Sequence, residues 1–145
     1  MIILDTDHIS LLERGSSSES HRLQHRLSEI NFDEVVTTII TFEEQMRGWM
    51  VYLAKARSLN HEVEAYHRLN RHIENYRTIP VLEFDNKAAE EFQRLQKSRI
   101  RIGTMDLKIA AIVLVNNATL LSRNLKDFNR VPNTPFSKFL RLLVI

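Results

Sequence analysis

Apolar positions along this chain alternate between short unbroken runs and stripes recurring every three or four residues. Met1-Ile2-Ile3-Leu4 is an unbroken run that stops at Asp5-Thr6-Asp7, residues whose side chains favour caps and turns, so a short buried strand leads straight into a helix. Ser16-Ser17-Ser18-Glu19 has capping-box spacing, and Leu23, Leu27 and Ile30 follow at helical intervals, which predicts an amphipathic helix over 17–30. The β-branched Val35-Val36-Thr37-Thr38 predicts a second strand, and a long helical pattern begins at Phe42-Glu43-Glu44-Gln45-Met46. Between Ser58 and Arg77, residues Val63, Tyr66, Leu69, Ile73 and Tyr76 share one helical face while His, Arg, Asn and Glu occupy the others. That is the pattern of a surface helix with one buried stripe.

Pro80 interrupts this helix before a third strand candidate, Val81-Leu82-Glu83-Phe84. Asp85 then caps a helix that aligns Ala88, Phe92 and Leu95, and a loop follows over 97–103. Met105 to Val115 is apolar on nearly every side, which places that helix between other layers. Thr119-Leu120-Leu121-Ser122 gives a fourth strand and Leu140 to Ile145 a candidate fifth. Short apolar strands alternating with helices predict an α/β fold with a mostly parallel sheet covered on both faces.

Composition narrows the function classes. A chain of 145 residues, 43% hydrophobic and 26% charged, with only three glycines and three prolines and no linker or repeat, reads as a single domain over 1–145. No Gly-rich phosphate loop follows any strand, which argues against a nucleotide-binding site. With no cysteine, disulfides, thiolate metal sites and cysteine nucleophiles are excluded, and any metal must rest on oxygen or nitrogen. The longest apolar run, Ile109 to Val115, is far short of the roughly 18–20 residues of a membrane span. A cytoplasmic protein without a signal peptide is expected. The sequence pI of about 9.1 accompanies a net charge of only +2, so the placement of charges, not their sum, must indicate the partner.

In open α/β sheets ligands bind beyond the carboxyl ends of the strands. Asp5 stands there after the first strand, although an N-cap alone would explain it. Glu44 follows the second strand, where Thr41-x-x-Glu44 also has capping-box spacing. Asp106 falls in the first turn of the apolar helix, a position the helix dipole favours. The fourth strand ends in Ser122-Arg123-Asn124-Leu125-Lys126-Asp127. Each residue has a structural explanation, yet a parallel sheet brings several of them to one edge. Like charges about 4 Å apart repel by roughly 4 kcal/mol at an effective dielectric of 20, so convergence calls for a cation between them. Oxygen ligands select Mg²⁺ or Mn²⁺.

Four motifs in this order carry a resemblance: Leu4-Asp5-Thr6-Asp7; Ile40-Thr41-x-x-Glu44-x-x-x-Gly48; Ile102-Gly103-x-x-Asp106-x-x-Ile109-Ala110-Ala111; and Leu121-Ser122-Arg123-Asn124-x-x-Asp127-Phe128-x-Arg130-Val131-Pro132. Together they resemble the PIN-domain ribonucleases of the VapC-like toxin group. The resemblance implies an α/β/α sandwich and a divalent-metal-dependent endoribonuclease, paired with a small antitoxin protein and often homodimeric. It places Asp5, Glu44 and Asp106 as the three catalytic, metal-holding acids, with Thr6 and Ser122 as supporting hydroxyls. Two departures stand out. Asp7 occupies a position where Asn is common, and Asn124 one where the family often has a fourth acid, leaving either Asn124 or Asp127 to complete the site. Arg99, Arg101, Lys108, Arg123, Lys126 and Arg130 lie near the third and fourth motifs, where phosphate contacts are useful.

Two other readings compete. Asp5-Thr6-Asp7 also resembles the Asp-x-Asp nucleophile of haloacid dehalogenase-type phosphatases, but the later Lys and acidic pair of that group are not reproduced around Gly103 to Asp106. A catalytically silent PIN-like binding module is expected to lack one of the three acids, and none is missing. The six histidines show no paired ligand spacing near the motifs; His61, His67 and His72 fall on the polar helix, and His8 has a packing role.

Overall fold

The computed structural model describes residues 1–132. The candidate fifth strand at 140–145 lies outside the described residues. Four short strands, β1 (Ile2–Leu4), β2 (Val35–Thr38), β3 (Val81–Leu82) and β4 (Thr119–Leu121), form one sheet of order β3-β2-β1-β4 in which every neighbouring pair is parallel. The register sets Ile3 beside Val36 on one side and Leu120 on the other. The helices are α1 (Thr6–Arg14), α2 (Ser18–Ser28), α3 (Ile39–Ala54), α4 (Leu59–Thr78), α5 (Asn86–Lys97), α6 (Thr104–Val115) and α7 (Leu125–Phe128).

Alternation along the strands divides the core into two layers. Ile3, Val36 and Leu120 pack with Leu95 of α5, Ile109 and Ile112 of α6, and Phe128 of α7. Leu4, Val35 and Leu121 face the opposite way, against Ile9 of α1 and Leu23 and Leu27 of α2. The result is the expected α/β/α sandwich, and α6 is as enclosed as its composition requires: Ile109 through Val113 have no solvent exposure.

Three expectations change. First, α3 starts at Ile39, not near Phe42, because the Thr38 hydroxyl caps it by accepting from Thr41 N at 3.1 Å. The apolar, β-branched Ile39 and Ile40 resemble a strand continuation, but the cap turns the chain first. Second, α2 begins at Ser18 with Ser17 as its cap, which accepts from Ser20 N at 3.0 Å, so Glu19 does not complete a capping box. Third, the inward stripe of α4 joins the buried Ala65 and His72 to the half-buried Leu69 and Tyr76, both expected there, while Val63, Tyr66 and Ile73 are more than half exposed. Ala65 is buried, and the His72 and Tyr76 rings pack on Phe42 of α3 with centroids 5.3 and 4.9 Å away. Tyr76 keeps its hydroxyl satisfied by donating to Gln45 Oε1 at 2.5 Å. Stacked rings and a hydrogen bond thus turn the polar-looking face inward, and His72 is a core residue with 1% exposure.

Candidate metal centre

The sheet order makes β1 central, with β2 on one side and β4 on the other. The chain reverses its direction of travel across the sheet at this strand, and a crevice opens at its carboxyl end. Asp5 leaves β1 there, its N–H extending the ladder to Leu121 O at 3.0 Å. Its carboxylate caps α1 by accepting from Thr6 N at 2.7 Å, and its other oxygen accepts from Ser122 Oγ at 2.5 Å. Asp5 is therefore a cap that also bonds across to the fourth strand's end. Burial pushes its pKa above the usual carboxylate value despite the Ser122 and Thr6 hydrogen bonds, and the charges of Glu44 and Asp7 push the same way.

Glu44 lies on the second turn of α3, and with Thr38 as the cap, capping does not account for it. It instead accepts from the Thr6 hydroxyl across the crevice, a bond that ties α3 to α1. Asp106 lies in the first turn of α6, whose cap is Gly103 with no side-chain bond. Its pKa is pushed up to about 6, first by burial and then by the negative charges of Asp5, Glu44 and Asp127. That three other acids are felt at Asp106 is the physical sign that the predicted carboxylates share one crevice.

Asn124 holds the fourth side. Its amide nitrogen donates to Asp106 Oδ2 and to Asp127 Oδ2, both at 3.0 Å, and its backbone N–H donates to Ser122 Oγ at 3.0 Å. A single Ser122 hydroxyl thus links Asp5 to the backbone that presents Asn124. Among the described residues no three carboxyl or imidazole groups are gathered tightly enough to cage an ion as they stand. The donor chemistry nevertheless fits a hard divalent cation: it is all oxygen, partly desolvated and carries several negative charges that oppose one another.

The basic residues scatter more widely than their sequence clustering suggests. Arg130 donates to the Arg101 backbone carbonyl at 2.6 Å and lies 3.9 Å from Asp127, so Arg130 borders the acids, while Arg101 is exposed. Arg123 reaches Glu19 of α2 at 2.5 Å. Lys108 points away, over the rings of Phe84 and Phe92, and lines a separate groove on the outer side of α3. Arg99, with φ of 55°, and Lys126 are exposed. His8 is buried, and burial lowers its pKa to about 4, so it is a neutral packing residue. Sequence reasoning missed Arg14, Trp49, Arg68 and Arg71, which line the cleft leading away from Thr6 and Glu44. Arg68 stands one helical turn before His72 on α4, whose inward stripe is rotated from the predicted one although both include Leu69 and Tyr76, while Arg14 on α1 and Trp49 on α3 carry no such signal.

Because Asp106 must be ionised to hold a cation, the affinity for Mn²⁺ is expected to fall as pH drops through about 6. Calorimetric titration between pH 5 and 8 checks this, and a flat affinity across that range would contradict the assignment.

Comparison with known proteins identifies the family of the fold. A family model described as PIN domain matches residues 2–133. The chain is 30% identical over 139 residues to the protein named Ribonuclease VapC1 of Rickettsia felis, with 90% of each covered. It is 28% identical over 132 residues to Ribonuclease VapC of Rickettsia bellii, again with 90% of each covered. Its fold superposes with a TM-score of 0.68 on the crystal structure of VapBC2 from Rickettsia felis bound to a DNA fragment from their promoter, at 21% identity over 94% of this chain and 98% of that one. With the family model spanning the four-stranded sheet and every acid at its carboxyl edge, the chain belongs to the PIN-domain family.

Proposed function

We propose that this chain is a divalent-metal-dependent endoribonuclease and the toxin of a toxin–antitoxin pair, built on one PIN unit. The observation that carries the reading is the convergence of Asp5, Glu44 and Asp106 at the carboxyl end of β1, where Asp106 feels the charge of the other two. The similarity to proteins named Ribonuclease VapC supports RNA as the substrate. Asp5, Glu44 and Asp106 hold Mg²⁺ or Mn²⁺, with Asp127 or Asn124 completing the set. Bound there, the cation supplies Lewis-acid chemistry, lowering the pKa of water and stabilising developing negative charge on phosphate oxygen. Thr6 and Ser122 fix the carboxylates of Glu44 and Asp5 by donating to them. No side chain acts as a nucleophile. Water attacks phosphorus, the bond to O3′ breaks, and the products carry a 5′-phosphate and a 3′-hydroxyl. Arg130 is the best placed of the predicted cations to meet a phosphate beside the acids.

The phosphatase reading loses its support, since the chain is a PIN domain. The partner is a small antitoxin protein, by likeness to solved VapBC complexes. The exposed Met50, Val51, Leu59, Val63, Tyr66 and Ile73 of α3 and α4 offer the apolar surface such a partner, or a second copy in a homodimer, would cover. Among the described residues no helix is long and apolar enough to cross a membrane, and we place the action in the cytoplasm, where the RNA is.

The test is cleavage of total RNA by protein freed of any inhibitor. Cutting with Mg²⁺ or Mn²⁺, arrested by chelator and restored by either ion, is expected, and sequencing the new ends identifies the target. Intact RNA after incubation with folded, metal-supplemented protein would sink the reading.

A further inference from the structure

The cleft that begins at Thr6 and Glu44 does not end at the acids. On α3, Glu44, Gly48 and Tyr52 are spaced four residues apart on one face, which carries the cleft about 12 Å along the helix axis. Walls from α1 and α4 enclose a volume of about 540 Å³. Gly48 lies midway, and a Cβ placed there would meet nothing within 4 Å, so the floor is open between the acids and the far end.

That far end is aromatic and basic. The Trp49 and Tyr52 rings meet edge to face at 5.9 Å, and the Arg68 guanidinium lies 5.7 and 5.2 Å from their centroids. Arg14 of α1 and Arg71 of α4 line the same walls. Two of the wall carboxylates are already engaged: Glu64 accepts from Arg68 at 2.8 Å, and Glu13 lies 3.4 Å from His72 Nδ1. Neither Trp49 nor Tyr52 is buried, and Tyr52 is 40% exposed, so ring surface stays open to the cleft beside the Arg68 contact.

We propose that this cleft is the track of the RNA strand, in which a base near the scissile phosphate stacks at Trp49 and Tyr52 while Arg14 and Arg71 meet flanking phosphates. The proposal rests on the ribonuclease reading and adds a subsite to it. Aromatic faces beside guanidinium groups are how single-stranded nucleic acid is held, because every base offers a π-face and arginine supplies both a stacking plane and charge. The subsite therefore selects for an unpaired nucleotide rather than for a base identity. A protein segment is the weaker occupant, since the larger apolar surface lies outside the cleft, at Val63, Tyr66 and Ile73.

The chain contains one tryptophan, so its intrinsic emission reports on Trp49 alone. Asp106→Asn protein, which stops cleavage, is titrated with a short single-stranded RNA in Mg²⁺, and binding is followed in parallel by anisotropy of end-labelled RNA. Quenching that saturates with the anisotropy signal is expected, and a duplex of the same sequence leaves the emission unchanged. Trp49→Ala and Gly48→Phe weaken binding by about 10- to 100-fold, the range of one lost base stack. Trp49→Phe restores most of it. In the active background Trp49→Ala raises KM and leaves kcat nearly unchanged. An unaltered thermal midpoint for Trp49→Phe and Gly48→Phe shows that the fold survives. RNA that binds with unchanged emission and with the same affinity for Gly48→Phe overturns the track while leaving the ribonuclease reading intact. A protein that neither binds nor cuts RNA overturns both.

Discussion

Asp106→Asn is expected to abolish RNA cleavage and, in chelator at pH 7.5, to raise the unfolding temperature. Loss of a metal-holding carboxylate removes activity by on the order of 10³-fold or more, because the charge that fixes the cation is gone while the rest of the crevice is unchanged. Asp5→Asn gives the same loss. The stability gain follows from the sign of the pKa shift. In the folded protein burial and the charges of Asp5, Glu44 and Asp127 push the Asp106 pKa up to about 6 from the usual 3.8, so it is the charged form that folding penalises. The contribution of this group to stability is full below about pH 3.8 and is lost as pH rises through about 6. Asparagine never pays that cost. An unscreened shift of this size corresponds to about 3 kcal/mol, and solvent screening of a half-buried carboxyl reduces it to roughly 1–2 kcal/mol. A rise of about 3–8 °C is therefore expected at pH 7.5 and none near pH 4. Differential scanning calorimetry at the two pH values, beside the cleavage assay, tests both halves. A variant that is destabilised at pH 7.5, or that still cuts RNA, contradicts the proposed centre.

Phe128→Ala is expected to be the most damaging single truncation for the fold. Phe128 has no exposed surface, although α7, which carries it, is only four residues long. A helix of that length has no stability of its own. It is held by Phe128 in the layer formed with Ile109, Ile112 and Leu120. Truncation leaves a cavity and costs about 3–5 kcal/mol, a large share of the roughly 5–15 kcal/mol that keeps a domain folded. Asn124 caps α7 and Asp127 lies within it, so the same anchor positions the amide that contacts Asp106. Activity in the surviving folded fraction should fall as well, and Phe128→Leu should recover most of both properties. Urea unfolding measures the first effect and cleavage per folded molecule the second; a cost below about 1 kcal/mol would mean that α7 is held by something else.

Much of this architecture was legible along the chain because its signals are local. A run such as Ile2-Ile3-Leu4 ending in Asp5, or an all-apolar stretch such as Ile109 to Val113, permits few placements. The candidate acids were legible for the same reason: each follows a strand or opens a helix, and parallel strands carry such positions to one edge. What misled was equally local. Thr41 and Glu44 have capping-box spacing, yet Thr38 is the cap, and Glu44 accepts a hydroxyl from α1 instead. Val63, Tyr66 and Ile73 satisfy a helical hydrophobic pattern and lie outside, because the stacking of Phe42, His72 and Tyr76 decides which side of α4 turns inward.

The sequence by itself determined the order of strands and helices through β4, the exclusion of thiolate from any metal site and the candidate acids. Each of these depends on residue type and on neighbours within a few positions. Only the tertiary structure decided that Asp106 is raised by Asp5, Glu44 and Asp127 together, that Asn124 and Ser122 tie the fourth strand to that cluster, and that Trp49, Arg68 and Arg71 share a cleft with Glu44. Those facts depend on distances between residues far apart in the chain, set by sheet order and by the packing of α4 on α3. No local pattern encodes them.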